Sequence, residues 1–269
     1  MKNTKHIRSG AAGAARRPAA VLIGRILAAA CSTLGATAVI AADTSTERGS
    51  LADFSRMTLE DLANIQISSV SKRTEPLSNA AASVYVITRE DIRRSGSTSI
   101  PEILRLAPNL QVARVDSSQY AISARGFNST TANKLLVLID GRSVYTPLFS
   151  GVFWDVQDTL IEDIDRIEVI SGPGGTLWGS NAVNGVINII TRKSADTQGT
   201  LVVAGASTDE RSGGVRHGGK LGEDATYRFY AKRFGRDNTA NATGQTASDA
   251  WQNGQFGFRL DWGKADDTL

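Results

Sequence analysis

Cysteine is nearly missing from this sequence. Cys31 is the only one in 269 residues, and it stands in an N-terminal stretch unlike the rest. Disulfides and cysteine-based zinc sites are therefore excluded beyond it. Histidine is as scarce. Only His217 follows His6, so paired-histidine metal sites and histidine-assisted nucleophiles have little to work with. Acidic residues are absent before Asp43, where six of the 30 Lys and Arg fall (Lys2, Lys5, Arg8, Arg16, Arg17, Arg25). The other 24 basic residues meet 27 acidic ones, so the formal charge of +3 belongs to the N-terminal stretch. Basic residues do not cluster with aromatics, and no nucleic-acid partner is implied. Nor does any apolar run reach the ~18 residues of a spanning helix. If the chain enters a membrane, it must do so as a barrel.

What is present begins with an export signal. Residues 1–17 carry five positive charges. An apolar stretch interrupted by Arg25 follows, then small residues ending at Val39-Ile-Ala-Ala42. Basic, apolar and small-residue regions in that order make a secretory signal, with cleavage expected after Ala41 or Ala42.

Residues 43–78 read as a mobile N-terminal segment. Thr58-Leu-Glu-Asp61 has the pattern that opens a short helix. Ile65-Gln-Ile-Ser-Ser-Val-Ser71 is rich in Ile and Val and suits a strand. Lys72–Pro76 reads as an extended linker.

A compact α+β unit is expected over residues 79–193. Val84–Thr88 is strand-like, and Thr88-Arg-Glu-Asp91 should open a helix that Ser95-Gly96 ends. Ser99-Ile-Pro-Glu102 repeats the capping logic and stops before Pro108. Leu110–Val115, Tyr120–Arg125, Asp165–Ile170 and Val186–Thr191 read as strands. Lys134–Asp140 is almost wholly apolar, which predicts a central strand buried on both faces and turned by Asp140-Gly141. Gly172-Pro-Gly-Gly175 and Gly179 predict sharp bends.

After Lys193 the texture changes to period two. Tyr227, Phe229 and Ala231 alternate with Arg228, Tyr230 and Lys232. Phe256, Phe258, Leu260 and Trp262 alternate with Gln255, Gly257, Arg259 and Asp261. Leu201–Ala206 and Val215–Leu221 are weaker strands. Alternation alone fits either a barrel wall facing lipid or a soluble sheet facing a core.

Catalytic and nucleotide motifs fail on inspection. Gly214–Leu221 lacks the final Ser or Thr of a P-loop and is followed by no helix. Gly172-Pro173 lacks dinucleotide-loop spacing, and Pro173 removes an N–H that such a loop uses. Glu162/Asp163 and Glu90/Asp91 sit where helix starts or surface turns are expected, which favours structural roles. No enzyme activity is expected, and no cofactor.

The order and spacing of several segments resemble the plug domain of TonB-dependent outer-membrane receptors. They are Ser83–Ile92, Ile103–Val112, Ser123-Ala-Arg-Gly-Phe127, Val137–Arg142, Ile164–Ile170 and Gly172-Pro173 through Gly185–Thr191. Residues 194–269 resemble the opening of that family's plugged barrel of about 22 strands. The resemblance implies an α+β plug domain followed by the first antiparallel strands of an incomplete transmembrane β-barrel. That wall is expected to need several hundred residues in all.

The family's logic implies the rest. The receptor sits in outer-membrane lipid and imports a bulky ligand such as a ferric siderophore or a cobalamin-like corrinoid. Its partner TonB, with the inner-membrane energising complex, supplies the work by pairing with a strand-forming TonB box. The expected box is Ile65, Gln66, Ile67, Ser68, Ser69, Val70 and Ser71, unless this segment is the first plug strand. Ligand-binding loops are expected at Asp116, Ser117, Ser118, Gln119 and Tyr120, and at Val144–Asp155. The second loop holds Tyr145, Pro147, Phe149 and Trp154, with packing inside the plug an equal alternative for Trp154. Arg125 and Arg166 match positions where arginines pair with acidic barrel residues. Ser171 stands where the family usually has Arg, which removes one such pair. A short, non-transporting plug protein that senses or sequesters ligand in the periplasm is the alternative.

Overall fold

In a computed structural model, residues 65–70, 74–80, 82–241 and 243–263 are described. The expected export signal and the helix at Thr58 lie outside them, as does Ser71.

A mixed five-stranded sheet forms the first part. Its strands are β3 (Ser83–Thr88), β6 (Leu135–Ile139), β7 (Arg142–Ser143), β8 (Ile164–Ser171) and β9 (Gly185–Thr191). The spatial order is β3-β8-β9-β6-β7, with β6 and β9 parallel and the other pairs antiparallel. The strand at the sheet's centre is therefore β9. The apolar run of β6 is buried as expected but lies one place from the edge, beside the two-residue β7.

Alternation on β6 serves two cores. Leu135 and Val137 pack on one face with Ile87, Ile103, Leu104, Ile167 and Ile189. Leu136 and Leu138 pack on the other with Ile170, Ala182, Val186 and Trp178. Continuous apolar sequence follows from coverage on both sides.

Helix α1 (Arg89–Ser95) starts as its sequence predicts. The Thr88 hydroxyl accepts from the Asp91 N–H at 3.2 Å, and the Asp91 carboxylate accepts from the Thr88 N–H at 2.9 Å. This reciprocal box satisfies two donors that a helix start otherwise leaves free. Gly96, at φ 64°, ends the helix in the left-handed region that a side chain disfavours. Helix α2 (Ile100–Leu104) has Ser99 at its N-cap, but the Ser99 hydroxyl makes no capping bond. Its Pro101 sits in the first turn, where a missing N–H costs nothing. A short hairpin of β4 (Leu110–Arg114) and β5 (Tyr120–Ala124) follows. One further turn of helix, α3 (Gly175–Trp178), falls inside the glycine-rich stretch expected to form bends.

The second part is an antiparallel meander. Its strands are β10 (Gly199–Ala206), β11 (Glu210–Leu221), β12 (Ala225–Arg236) and β13 (Trp251–Trp262). The last three have 12 residues each, enough to cross a hydrocarbon layer when tilted. Where Tyr230 faces Gly257, a Cβ on the glycine would strike the tyrosine ring.

Candidate functional site

The two faces of the meander decide what it borders. On β12, Arg228, Tyr230, Lys232, Phe234 and Arg236 are buried against the mixed-sheet domain. The opposite row is open and apolar. Phe258 is 78% exposed and Trp262 83%, with Phe256, Leu260 and Phe229 beside them. A soluble sheet buries its apolar face and wets its polar one. Here the charged face is inside and the apolar face outside, the arrangement of a wall against lipid.

The inner cations meet carboxylates of the mixed-sheet domain. Asp163 is fully buried in the turn before β8. It is paired with Arg216 at 2.5 Å and Arg228 at 3.4 Å. Arg228 also donates to the Arg192 carbonyl and the Thr191 hydroxyl. Lys232 pairs with Asp158 at 2.7 Å and donates to the carbonyls of Thr98 and Thr159. Burial pushes the Asp158 carboxyl above the usual range, and the Lys232 charge offsets only part of that. Arg259 reaches Asp140 at 3.5 Å. Asp140 in turn accepts both the N–H and the hydroxyl of Thr191.

The strands supply arginine and lysine, and the mixed-sheet domain supplies aspartate. Among the described residues, Arg166 pairs with its own neighbours Asp165, at 2.7 Å, and Glu168, at 2.8 Å, and not with these four strands. Arg125 makes no ion pair among the described residues. Its backbone is left-handed at φ 57°, and its guanidinium lies near Gly172. Ser171 uses its hydroxyl to accept from the Asn109 amide. Asp163, whose sequence suggests a surface turn, is instead the most enclosed carboxylate of this contact.

The Ile65–Val70 segment is seated on the sheet. Gln66–Ile67 forms β1, antiparallel to β2 (Glu75–Pro76), which falls in the stretch expected as linker. Ile67 is fully buried. The buried Glu168 carboxylate accepts the N–H groups of Ser68 and Ser69, the latter at 2.8 Å. Trp178 donates to the Ser69 carbonyl, and Asn188 to the Ser69 hydroxyl. Val70 packs on the second core.

The two loops expected to meet ligand are partly enclosed. Of Asp116–Tyr120, Ser117 and Tyr120 are buried, Asp116 and Ser118 half-buried, and only Gln119 is open. In the Val144–Asp155 loop, Pro147, Leu148 and Phe153 are exposed, while Tyr145 and Phe149 are half-buried. Phe149 and Phe153 meet edge to face at 4.8 Å. Trp154 is not a surface aromatic: its ring belongs to the first core. Phe127, 76% exposed with Lys134 over its ring, is a surface aromatic outside both expected loops. Its neighbours Arg125 and Gly126 share its positive φ, and no local sequence rule announces three such residues in a row.

Tyr120 also anchors α2, donating to Glu102 at 2.8 Å. Burial raises the Glu102 carboxyl, but the bonds from Arg105 and Tyr120 outweigh it and hold the carboxyl low. A carboxylate with a lowered folded value adds stability above the unfolded value of about 4.3, and loses it as pH falls through the folded one. Glu102→Gln is therefore expected to melt below the parent at pH 7. The gap should close on acidification; a gap constant from pH 7 down to pH 3 contradicts this.

With this geometry in place, comparison with known proteins bears on the mixed-sheet domain. Residues 76–186 match the family model of the TonB-dependent Receptor Plug Domain. The mixed-sheet domain is a TonB-dependent receptor plug. Among curated proteins, the Vitamin B12 transporter BtuB of Vibrio vulnificus is 36% identical over 137 residues, 50% of this chain and 22% of that protein. BtuB of Vibrio cholerae is 33% identical over 147 residues, 54% of this chain and 24% of that one. The chain thus spans about a quarter or less of the length of these relatives. The pyoverdine outer membrane receptor FpvA of Pseudomonas aeruginosa superposes with TM-score 0.59 at 20% identity, over 76% of this chain and 28% of its own. The ferric yersiniabactin uptake receptor FyuA of Yersinia pestis gives 0.53 at 21%, over 76% and 31%. Both likenesses show the fold and extend beyond the plug into the wall strands.

Proposed function

We propose that the full-length protein is an outer-membrane receptor that imports a bulky ligand with energy drawn through TonB. The observation that carries this reading is the inside-out wall, with its apolar row open and its basic row fastened to plug carboxylates. A plug held by ion pairs and hydrogen bonds can be firm at rest and still be displaced by a pull, which a fused apolar core would resist. Residues 1–42 would direct export, and residues 194–269 would open the barrel.

Ile65–Ser71 is the segment we assign to TonB. Its short β-rich stretch suits strand addition to a partner sheet. In the seated form its N–H groups at Ser68 and Ser69 are spent on Glu168. TonB pairing therefore requires that the segment leave this site.

The loops 116–120, 144–155, 207–209 and 237–250 contain five aspartates and no lysine, arginine or histidine. Such a surface repels polyanionic ligands, which favours a bulky ligand without net negative charge. The corrinoid named for the BtuB relatives fits that condition. A deletion strain tests this. Growth should depend on the gene when cyanocobalamin is limiting, and not when ferric enterobactin is. Dependence on ferric enterobactin alone overturns the ligand assignment.

A further inference from the structure

Every polar group of one buried plug residue is held by the wall. Ser117, with no exposed surface, donates its N–H to the Asp249 carboxylate at 3.0 Å and its hydroxyl to the Asp249 carbonyl. Its carbonyl accepts from Arg236 at 3.1 Å. Asp249 closes the β12–β13 loop, and Arg236 ends β12.

Each holding group is fixed on its own side. The Asp249 carboxylate accepts the Thr239 N–H at 2.8 Å and the Thr239 hydroxyl at 2.6 Å, bonds that keep its carboxyl low. Asn238 caps the same turn by accepting from the N–H groups of Asp249 and Ala250. Arg236 pairs with Glu210 at 2.7 Å. Its guanidinium also lies within 6 Å of the rings of Tyr120, Phe234 and Trp251, at 5.8, 5.3 and 5.8 Å.

The plug loop itself is pre-shaped. Asp116 accepts from the N–H groups of Ser118 and Gln119 and from the Ser118 hydroxyl. Gln119 is exposed, and Ser117, two residues before it, joins the amide- and hydroxyl-rich loop 237–250 through Asp249.

We propose that Asp249 and Arg236 are positioning residues for ligand capture. They fasten plug loop 116–120 to wall loop 237–250, so that ligand meets one pre-formed surface built from both. This rests on the reading of 116–120 as a ligand loop. Preorganisation of this kind raises affinity by removing the cost of ordering a loop on binding.

The test uses the full-length mature receptor with a nitroxide label on Gln119→Cys. Label mobility is measured for this parent, for Asp249→Ala and for the milder Asp249→Asn, and cyanocobalamin affinity is measured for the same Asp249 variants and the parent with Gln119 intact and unlabelled. The expected result is an immobilised label in the parent and a mobile one in Asp249→Ala, with affinity down about tenfold, the scale of one lost preorganised loop. Asp249→Asn, which keeps an acceptor, should fall between. Equal label mobility in all three overturns the clamp. A loosened loop with unchanged affinity supports the fastening and overturns its role in capture. If cyanocobalamin does not bind the unlabelled receptor with Gln119 intact, the ligand assignment fails, and the label spectra still decide the fastening.

Discussion

Ile67→Pro is expected to abolish ligand accumulation while surface binding stays at the parent level. Proline lacks the N–H that strand addition uses and fixes φ, so a segment carrying it pairs poorly with a partner sheet. The same change unseats Ile67 from its buried position against the plug. Binding should survive, because the outward loops are built from other residues. Ile67→Val keeps the β-branched side chain and should import normally. Equal accumulation by Ile67→Pro and the parent contradicts the assignment of Ile65–Ser71 to TonB.

The second large effect belongs to Asp163. Asp163→Ala leaves Arg216 and Arg228 buried without their carboxylate. Breaking a buried pair from one side costs about 3–5 kcal/mol, because the remaining charge stays desolvated. The exposed pair Glu90–Arg93 is the control, and its loss should leave the melting temperature close to the parent's, since water screens such a pair. Thermal unfolding of Asp163→Ala and Glu90→Ala compares them directly. Hydrogen exchange should locate the loosening at β8, β11 and β12. Similar small effects from both variants contradict the view that Asp163 fastens plug to wall.

These two sites differ in how far the sequence discloses them. Strands β12 and β13 announce themselves because aromatic and charged residues alternate at period two. Strand β10 is faint because Gly199, Ala204, Gly205 and Ala206 offer little side chain to alternate. The direction of the wall is invisible to period two, since alternation is the same whichever face turns inward. Partner carboxylates on the plug decide it. Asp163 illustrates the point. Next to Glu162 in sequence it looks like a surface turn, and only Arg216 and Arg228, far along the chain, explain its burial. Trp154 and Ser117 fail as surface residues for a similar reason, since their neighbours come from other elements. By contrast, the capping box of α1 is legible because all its partners lie within four residues.

The charge arithmetic also divides by place. The basic N-terminal stretch is expected to be an export address, whereas Arg216, Arg228 and Lys232 are structural cations matched to aspartates of the plug. Formal net charge therefore says little about partners in a chain of this kind.

The measurement closest to the central claim is accumulation of labelled cyanocobalamin by cells that have this gene as sole receptor, with and without TonB. The account predicts equal surface binding in both strains and accumulation in the periplasm only where TonB is present. Accumulation at the same rate without TonB contradicts it.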